Sequence, residues 1–300
     1  MNEIRYKTPT ALEKAVKAAA QKSDQDTNQA IENYYHDRFL ERVFSEPEPL
    51  FVLKGGRGML ARTVNARHTR DTDFLYKGFD LDEAVSDLKR LAAIDLGDFL
   101  EFRFDSVDEI AKDQEYRDGY RVVFIPVLGG TKFMNPISID LVVSHLASAE
   151  ADMVTPVSRL HVQDLPVYDY YVYPVASAIA DKVCATMQKF SDGMESSRVR
   201  DLVDLVVYLT TESFESAKLS EQITLEMRLR RIDSTDSFHV PDAWRTLYFR
   251  AYEKSAAEAR LPEEYRDVAT AETLVKLCID GVLSGEVVGR LWSSEELCWI

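Results

Sequence analysis

Three hundred residues correspond to one large domain or two ordinary ones, long enough to bury a core without disulfide or metal staples. Near-average hydrophobic and charged content excludes collagenous, low-complexity and wholly disordered chains. Thirty-six Lys and Arg against 51 Asp and Glu give a net charge of −15, which argues against a protein that coats DNA or adsorbs to anionic membranes. Cys184, Cys278 and Cys298 are an odd number, far apart and without a C-x-x-C pair, so neither a disulfide framework nor a zinc site is indicated. The first residues lack an apolar leader and no run reaches about 18 apolar residues, so a cytoplasmic protein with no membrane partner is expected.

The first 45 residues read as helix, with Thr10 as N-cap of ALEKAVKAAA and a second run through Tyr34, Tyr35, Phe39, Leu40 and Val43 that ends at Pro47 and Pro49. PLFVLKGG is a short apolar strand running into Gly55 and Gly56, where a helix starts at once. DTDFLYK is again strand-like, and DLDEAVSDLKRLAAID is an amphipathic helix that covers a sheet face. Strands follow at EFRFDSV, YRVVFIPVL and NPISIDLVVS; in the last, Ile137, Ile139, Leu141 and Val143 alternate with Ser138, Asp140 and Val142. Beyond a loop with Pro156, Pro166 and Pro174 the patterns are helical to the end. The expected architecture is an α/β lobe over residues 1–165 and an all-helical lobe over 166–300, with a ligand cleft between them.

Asp71 and Asp73 are the sharpest chemical feature. Residues two apart on a strand share a face, so D-T-D presents two carboxylates side by side, whereas a helix would separate them by about 200°. Such a pair repels itself unless a cation lies between, and all-oxygen ligands suit Mg²⁺ or Mn²⁺ with substrate phosphates. A D-x-D alone is also common on solvated strands, but its surroundings favour phosphate. Gly55 and Gly56 stand at a strand-to-helix junction, where backbone N–H groups and the helix dipole attract anions. Between residues 54 and 77, Lys54, Arg57, Arg62, Arg67, Arg70 and Lys77 against two aspartates give +4, leaving −19 for the rest. Asp140, opposite the apolar row of its strand, is the third candidate ligand or an ordinary exposed aspartate. Lys182 shares a helical stripe with Val175, Ile179, Val183 and Thr186, as a snorkelling lysine or a triphosphate contact. Arg198, Asp201 and Asp204 share a face one helix later; Asp204 could orient Lys182, or Arg198 and Asp201 form a surface pair.

In order, FVLKGGRGMLAR, RHTRDTDFL, ISIDLVV, AIADKVCAT and RVRDLVDLVVYL resemble the AbiEii/AbiGii family of nucleotidyltransferase toxins, MenT-type enzymes included, over about residues 30–210. The resemblance implies an α+β fold, bilobed, with a polymerase-β-type nucleotidyltransferase lobe (mixed sheet with helices) followed by a helical lobe. It implies a toxin of a toxin–antitoxin or phage-defence system, dependent on Mg²⁺ or Mn²⁺, that moves nucleotides from NTP to the tRNA 3′ end and blocks translation, with a cognate antitoxin as partner. Asp71, Asp73 and Asp140 would hold metal. Lys54, Gly55, Gly56, Arg57, Arg67, Arg70, Lys182 and Asp204 would serve the NTP, and Lys182 and Asp204 would join the three aspartates in catalysis. Two positions depart from the family pattern: Arg57 replaces a small hydroxyl residue after the glycines, and Thr72 an apolar one between the aspartates. Alternative readings are a protein or small-molecule acceptor, an RNA contact at the RLRR cluster of Arg228–Arg231, and a degenerate module that binds without catalysis.

Overall fold

In the computed structural model, which describes residues 6–110, 119–143, 151–162, 164–190 and 193–300, the first helix is capped two residues earlier than the expected Thr10. Thr8 is its N-cap, accepting a hydrogen bond from Ala11 N at 3.2 Å, and Pro9 takes the first helical position, where its missing N–H costs nothing. Helix α1 spans Pro9–Ala20 and α2 Thr27–Val43, the latter capped by the Asp26 carboxylate. Strand β1 (Phe51–Lys54) passes without a loop into α3 (Gly55–Arg62), and then follow β2 (Thr72–Tyr76), α4 (Leu81–Ala92), β3 (Leu100–Glu109), β4 (Gly119–Leu128), β5 (Lys132–Phe133), β6 (Ile137–Val143), β7 (Asp152–Val154) and β8 (Tyr170–Val172).

These elements form one compact unit, Met1–Val64 with Thr69–Tyr173. Its strands make a mixed sheet in the order β3-β4-β6-β2-β1-β8-β7, with β5 paired to β4; β2–β6 and β1–β8 run parallel and the other neighbours antiparallel. Period-2 alternation puts Leu53, Phe74, Val122, Phe124, Ile139 and Leu141 on one face, packed with Phe39 of α2 and Leu88 of α4. Each such side chain contributes roughly 1.5–3 kcal/mol by leaving water. The core is pinned by a buried ion set: Arg42 forks onto both Asp98 oxygens at 2.7 and 3.0 Å, and Arg38 Nε reaches Asp98 Oδ2 at 2.7 Å, tying α2 to the start of β3. Strand β8 lies beyond residue 165 yet pairs with β1, so the sheet extends to Val172.

The second compact unit comprises Asn65–His68 and Pro174–Ile300. It contains α5 (Val175–Met187), α6 (Val199–Thr211), β9 (Phe214–Glu215), α7 (Ser216–Arg230), α8 (Ala243–Thr246), α9 (Phe249–Glu258), a 3₁₀ turn at Glu263–Arg266, α10 (Val268–Leu283), β10 (Leu291–Ser293) and β11 (Cys298–Trp299). It is therefore helical but not purely so: β10 pairs with both β9 and β11, and Trp292 and Trp299 pack edge to face at 5.5 Å. The run from Pro241 to Ala256 holds two helices instead of one, broken at Leu247–Tyr248. No helix among the described residues is long and apolar enough to cross a membrane.

Candidate active site

Strand register assembles the site. In the antiparallel pair β1–β2, Lys54 lies opposite Asp73; in the parallel pair β2–β6, Asp73 lies beside Asp140; in the antiparallel pair β4–β6, Asp140 lies opposite Arg121; and across β3–β4, Arg121 faces Asp108. Residues paired in register share a sheet face. One transverse row therefore reads Lys54, Asp73, Asp140, Arg121, Asp108, on the face away from the apolar core. Asp71 directly precedes β2, is exposed, and by alternation belongs to the same face as Asp73. Thr72 between them turns into the core, 1% exposed, with its Oγ1 3.4 Å from His36 Nδ1. A hydroxyl is tolerated there because α2 supplies it a partner.

Gly55 is fixed by the neighbouring carboxylate. Its φ is +61°, and a Cβ built on it would lie 1.9 Å from Asp73 Oδ2, so the Asp73 carboxylate rests directly against the first residue of α3. Gly56 is less tightly confined, against Thr69, whose Cβ and Cγ2 would lie 2.9 Å from a Cβ there. Lys54 holds its ammonium 4.6 Å from the centre of the Tyr173 ring.

Arg57 does not point toward this face. It is 3% exposed and its Nη1 donates to Asn33 Oδ1 at 3.1 Å, while Nε and Nη2 have no hydrogen-bond partner among the described residues. Burial lowers its pKa, opposed by Asp37. Burial likewise pushes the Asp37 carboxyl up to about 6, against the pull of Arg57. Arg62 donates to Asp152 Oδ2 at 2.6 Å and to the Tyr173 carbonyl at 3.2 Å. Arg70 is exposed.

The second unit holds its own charged cluster. Asp204, fully buried, accepts a two-bond fork from Arg67 at 3.0 and 3.1 Å and a bond from Lys182 Nζ at 2.6 Å. Lys182 also donates to Asp201 Oδ1 at 3.2 Å, and Arg198 Nε to Asp201 Oδ2 at 2.7 Å. Burial alone would lower the Lys182 ammonium; Asp204 and Asp201 overcome it and hold its pKa above the usual range. Burial would raise the Asp204 carboxyl, but Lys182 and Arg67 keep it below its usual value.

Among the described residues no three carboxylate, imidazole or thiol groups converge closely enough to grip a cation as they stand. The donor chemistry nevertheless suits a hard divalent ion: Asp73 and Asp140 are register neighbours, Asp71 precedes them on the same face, and all three offer only oxygen. What withdraws Asp140 is Arg121, whose Nε and Nη2 bind its two oxygens at 2.7 and 2.8 Å. Arg121 carries little signal in the sequence. Its signal is a single cation in the otherwise apolar run YRVVFIPVL, and that has meaning only once β4 is known to pair with β6.

The model of the AbiEii nucleotidyl transferase toxin family, of type IV toxin–antitoxin systems, matches residues 38–271. No curated protein matches the chain. Among solved structures it is similar to JHP933 from Helicobacter pylori (15% identity, 85% of this chain and 93% of that one, TM-score 0.40). It is also similar to a candidate nucleotidyltransferase from H. pylori (16% identity, 88% and 98% covered, TM-score 0.40).

Proposed function

The chain belongs to the AbiEii family of nucleotidyltransferase toxins, and we propose that it transfers a nucleotidyl group from an NTP to the 3′ end of tRNA, blocking translation unless a cognate antitoxin restrains it. The observation that carries the chemistry is the register row, which sets Asp73 beside Asp140 with Gly55 against the Asp73 carboxylate. In this reaction the acceptor hydroxyl oxygen forms a bond to the α-phosphorus, the bond to the β-phosphate oxygen breaks, and pyrophosphate leaves. A divalent cation, Mg²⁺ or Mn²⁺, supplies charge neutralisation and acidifies the attacking hydroxyl when bound.

The chain's own residues divide the remaining work. Asp71, Asp73 and Asp140 are assigned to holding the cation, and Asp140 also accepts the hydroxyl proton. The first turn of α3, at Gly55 and Gly56, offers backbone N–H groups to phosphate, and Lys54 stands beside it in the row. Arg70, Arg67 and Lys182 are assigned to neutralising phosphate charge, with Asp204 as the positioning residue of Arg67 and Lys182. Arg57 is reassigned from phosphate contact to a support behind α3, consistent with its burial.

Incubation of the protein with each α-³²P-labelled NTP and total tRNA tests the reading. Labelled tRNA is expected with wild type, and Asp71→Ala and Asp73→Ala should each lower the rate by at least about 100-fold, the scale on which a lost charge-stabilising group acts. Full activity in both variants overturns it. Label on a protein or a small molecule, seen by size, would keep the enzyme class and replace the acceptor.

A further inference from the structure

Asp140, one of the three carboxylates assigned to the cation, is already held by a cation that belongs to the chain. Arg121 takes both Asp140 oxygens in a fork, and the pairing is dictated by the sheet, since the two residues stand directly opposite on β4 and β6. The hydrogen bond and charge of Asp140 raise the pKa of the Arg121 guanidinium, and Asp71 and Asp73 add to the effect. All three carboxylates assigned to metal thus act on this one side chain. Yet Arg121 is 52% exposed and Asp140 23%. A pair this open to water is held weakly enough to exchange, and its release requires rotation of one side chain without disturbing the core behind the sheet.

Resting on the nucleotidyltransferase reading above, we propose that Arg121 is the resident counter-cation of the acidic centre: it competes with the divalent metal for Asp140 and, once displaced, donates its fork to a phosphate of the arriving NTP. Guanidinium geometry fits carboxylate and phosphate equally, so the side chain exchanges one bidentate partner for another. Metal and nucleotide then assist each other. The metal frees Arg121, the phosphate receives it, and each ligand reduces the work the other must do. In the absence of both, the charge of the carboxylates remains partly neutralised and their mutual repulsion is relieved.

Mn²⁺ binding to the full chain, followed by electron paramagnetic resonance without nucleotide and then with a non-hydrolysable NTP analogue, tests this without turnover. Wild type should bind Mn²⁺ weakly alone and more tightly with the analogue. Arg121→Gln should bind Mn²⁺ alone about tenfold more tightly, within the usual range of site coupling, and lose most of the enhancement by nucleotide. Arg121→Lys, which keeps the charge without the fork, should fall between them and stands in if the glutamine variant folds poorly. Mn²⁺ binding that Asp73→Asn abolishes but Arg121→Gln leaves no tighter than wild type overturns the role of Arg121 and leaves the acidic centre intact. Absence of Mn²⁺ binding in every variant, or binding indifferent to Asp73→Asn, overturns the metal-dependent reading itself and the role of Arg121 with it.

Discussion

A methyl group on Gly55 would have to occupy the space of Asp73 Oδ2 and adopt a left-handed φ, which costs a non-glycine residue about 1–2 kcal/mol before any clash. Gly55→Ala should therefore displace the carboxylate or unwind the first turn of α3, lowering the transfer rate at least about 100-fold with only a modest loss in thermal stability. Wild-type rates in that variant would show that Asp73 does not need its present position. Single residues were legible in the sequence where one periodicity sufficed. Alternation put Asp71 with Asp73 on one face and Asp140 opposite the apolar row, and the register of β2 and β6 brings Asp73 and Asp140 side by side. Arg57 and Arg121 were not legible for the same reason: the direction of an arginine is chosen by its partners. Asn33 and Asp140 lie 24 and 19 residues away and become neighbours only in the folded chain.

At the scale of elements, α5 and α6 are joined through Asp204, which serves two cations at once. Lys182→Met removes one cation and leaves Asp204 paired with Arg67, whereas Asp204→Ala leaves Arg67 without its fork and Lys182 with Asp201 alone. Breaking a buried pair from one side costs about 3–5 kcal/mol, so Asp204→Ala should melt well below Lys182→Met; the reverse order would mean that Lys182 carries the packing. The pH dependence has a definite sign. The folded pKa of Asp204 lies below its ordinary value, so its contribution is complete above the unfolded carboxyl value and disappears as pH falls through the folded one. Lys182, raised, contributes fully below its unfolded value and loses that contribution as pH rises through the folded value. The lysine's place on a stripe with Val183 and Ile179 was readable from helical spacing. Strands β8 to β11 were not, because two or three residues carry no periodicity and their partners are far along the chain.

For the whole molecule, the net charge of −15 has to be reconciled with the RNA acceptor proposed above. The segment from Lys54 to Lys77 sums to +4, but Arg57 is buried, Arg62 binds Asp152 and Arg67 binds Asp204. Few of its charges remain for a phosphate backbone. Binding of tRNA should accordingly show a shallow salt dependence: engagement of about three phosphates of a single-stranded end gives a slope of log K against log salt near −2. A slope of about −6 would mean an extended RNA surface, and the acceptor end would no longer suffice as the contact.

The row that crosses β1, β2, β6 and β4 also sets which length changes the chain can survive. Connections between strands can lengthen or shorten while Lys54, Asp73, Asp140 and Arg121 remain aligned, because their alignment is made by the ladder between them. One residue inserted within β6 ahead of Ile139 would turn the Asp140 carboxylate into the apolar core and bring Ile139 out to the opposite face. Divergence among relatives that keep this chemistry is thereby steered into the loops, with the interiors of these four strands held to a fixed count.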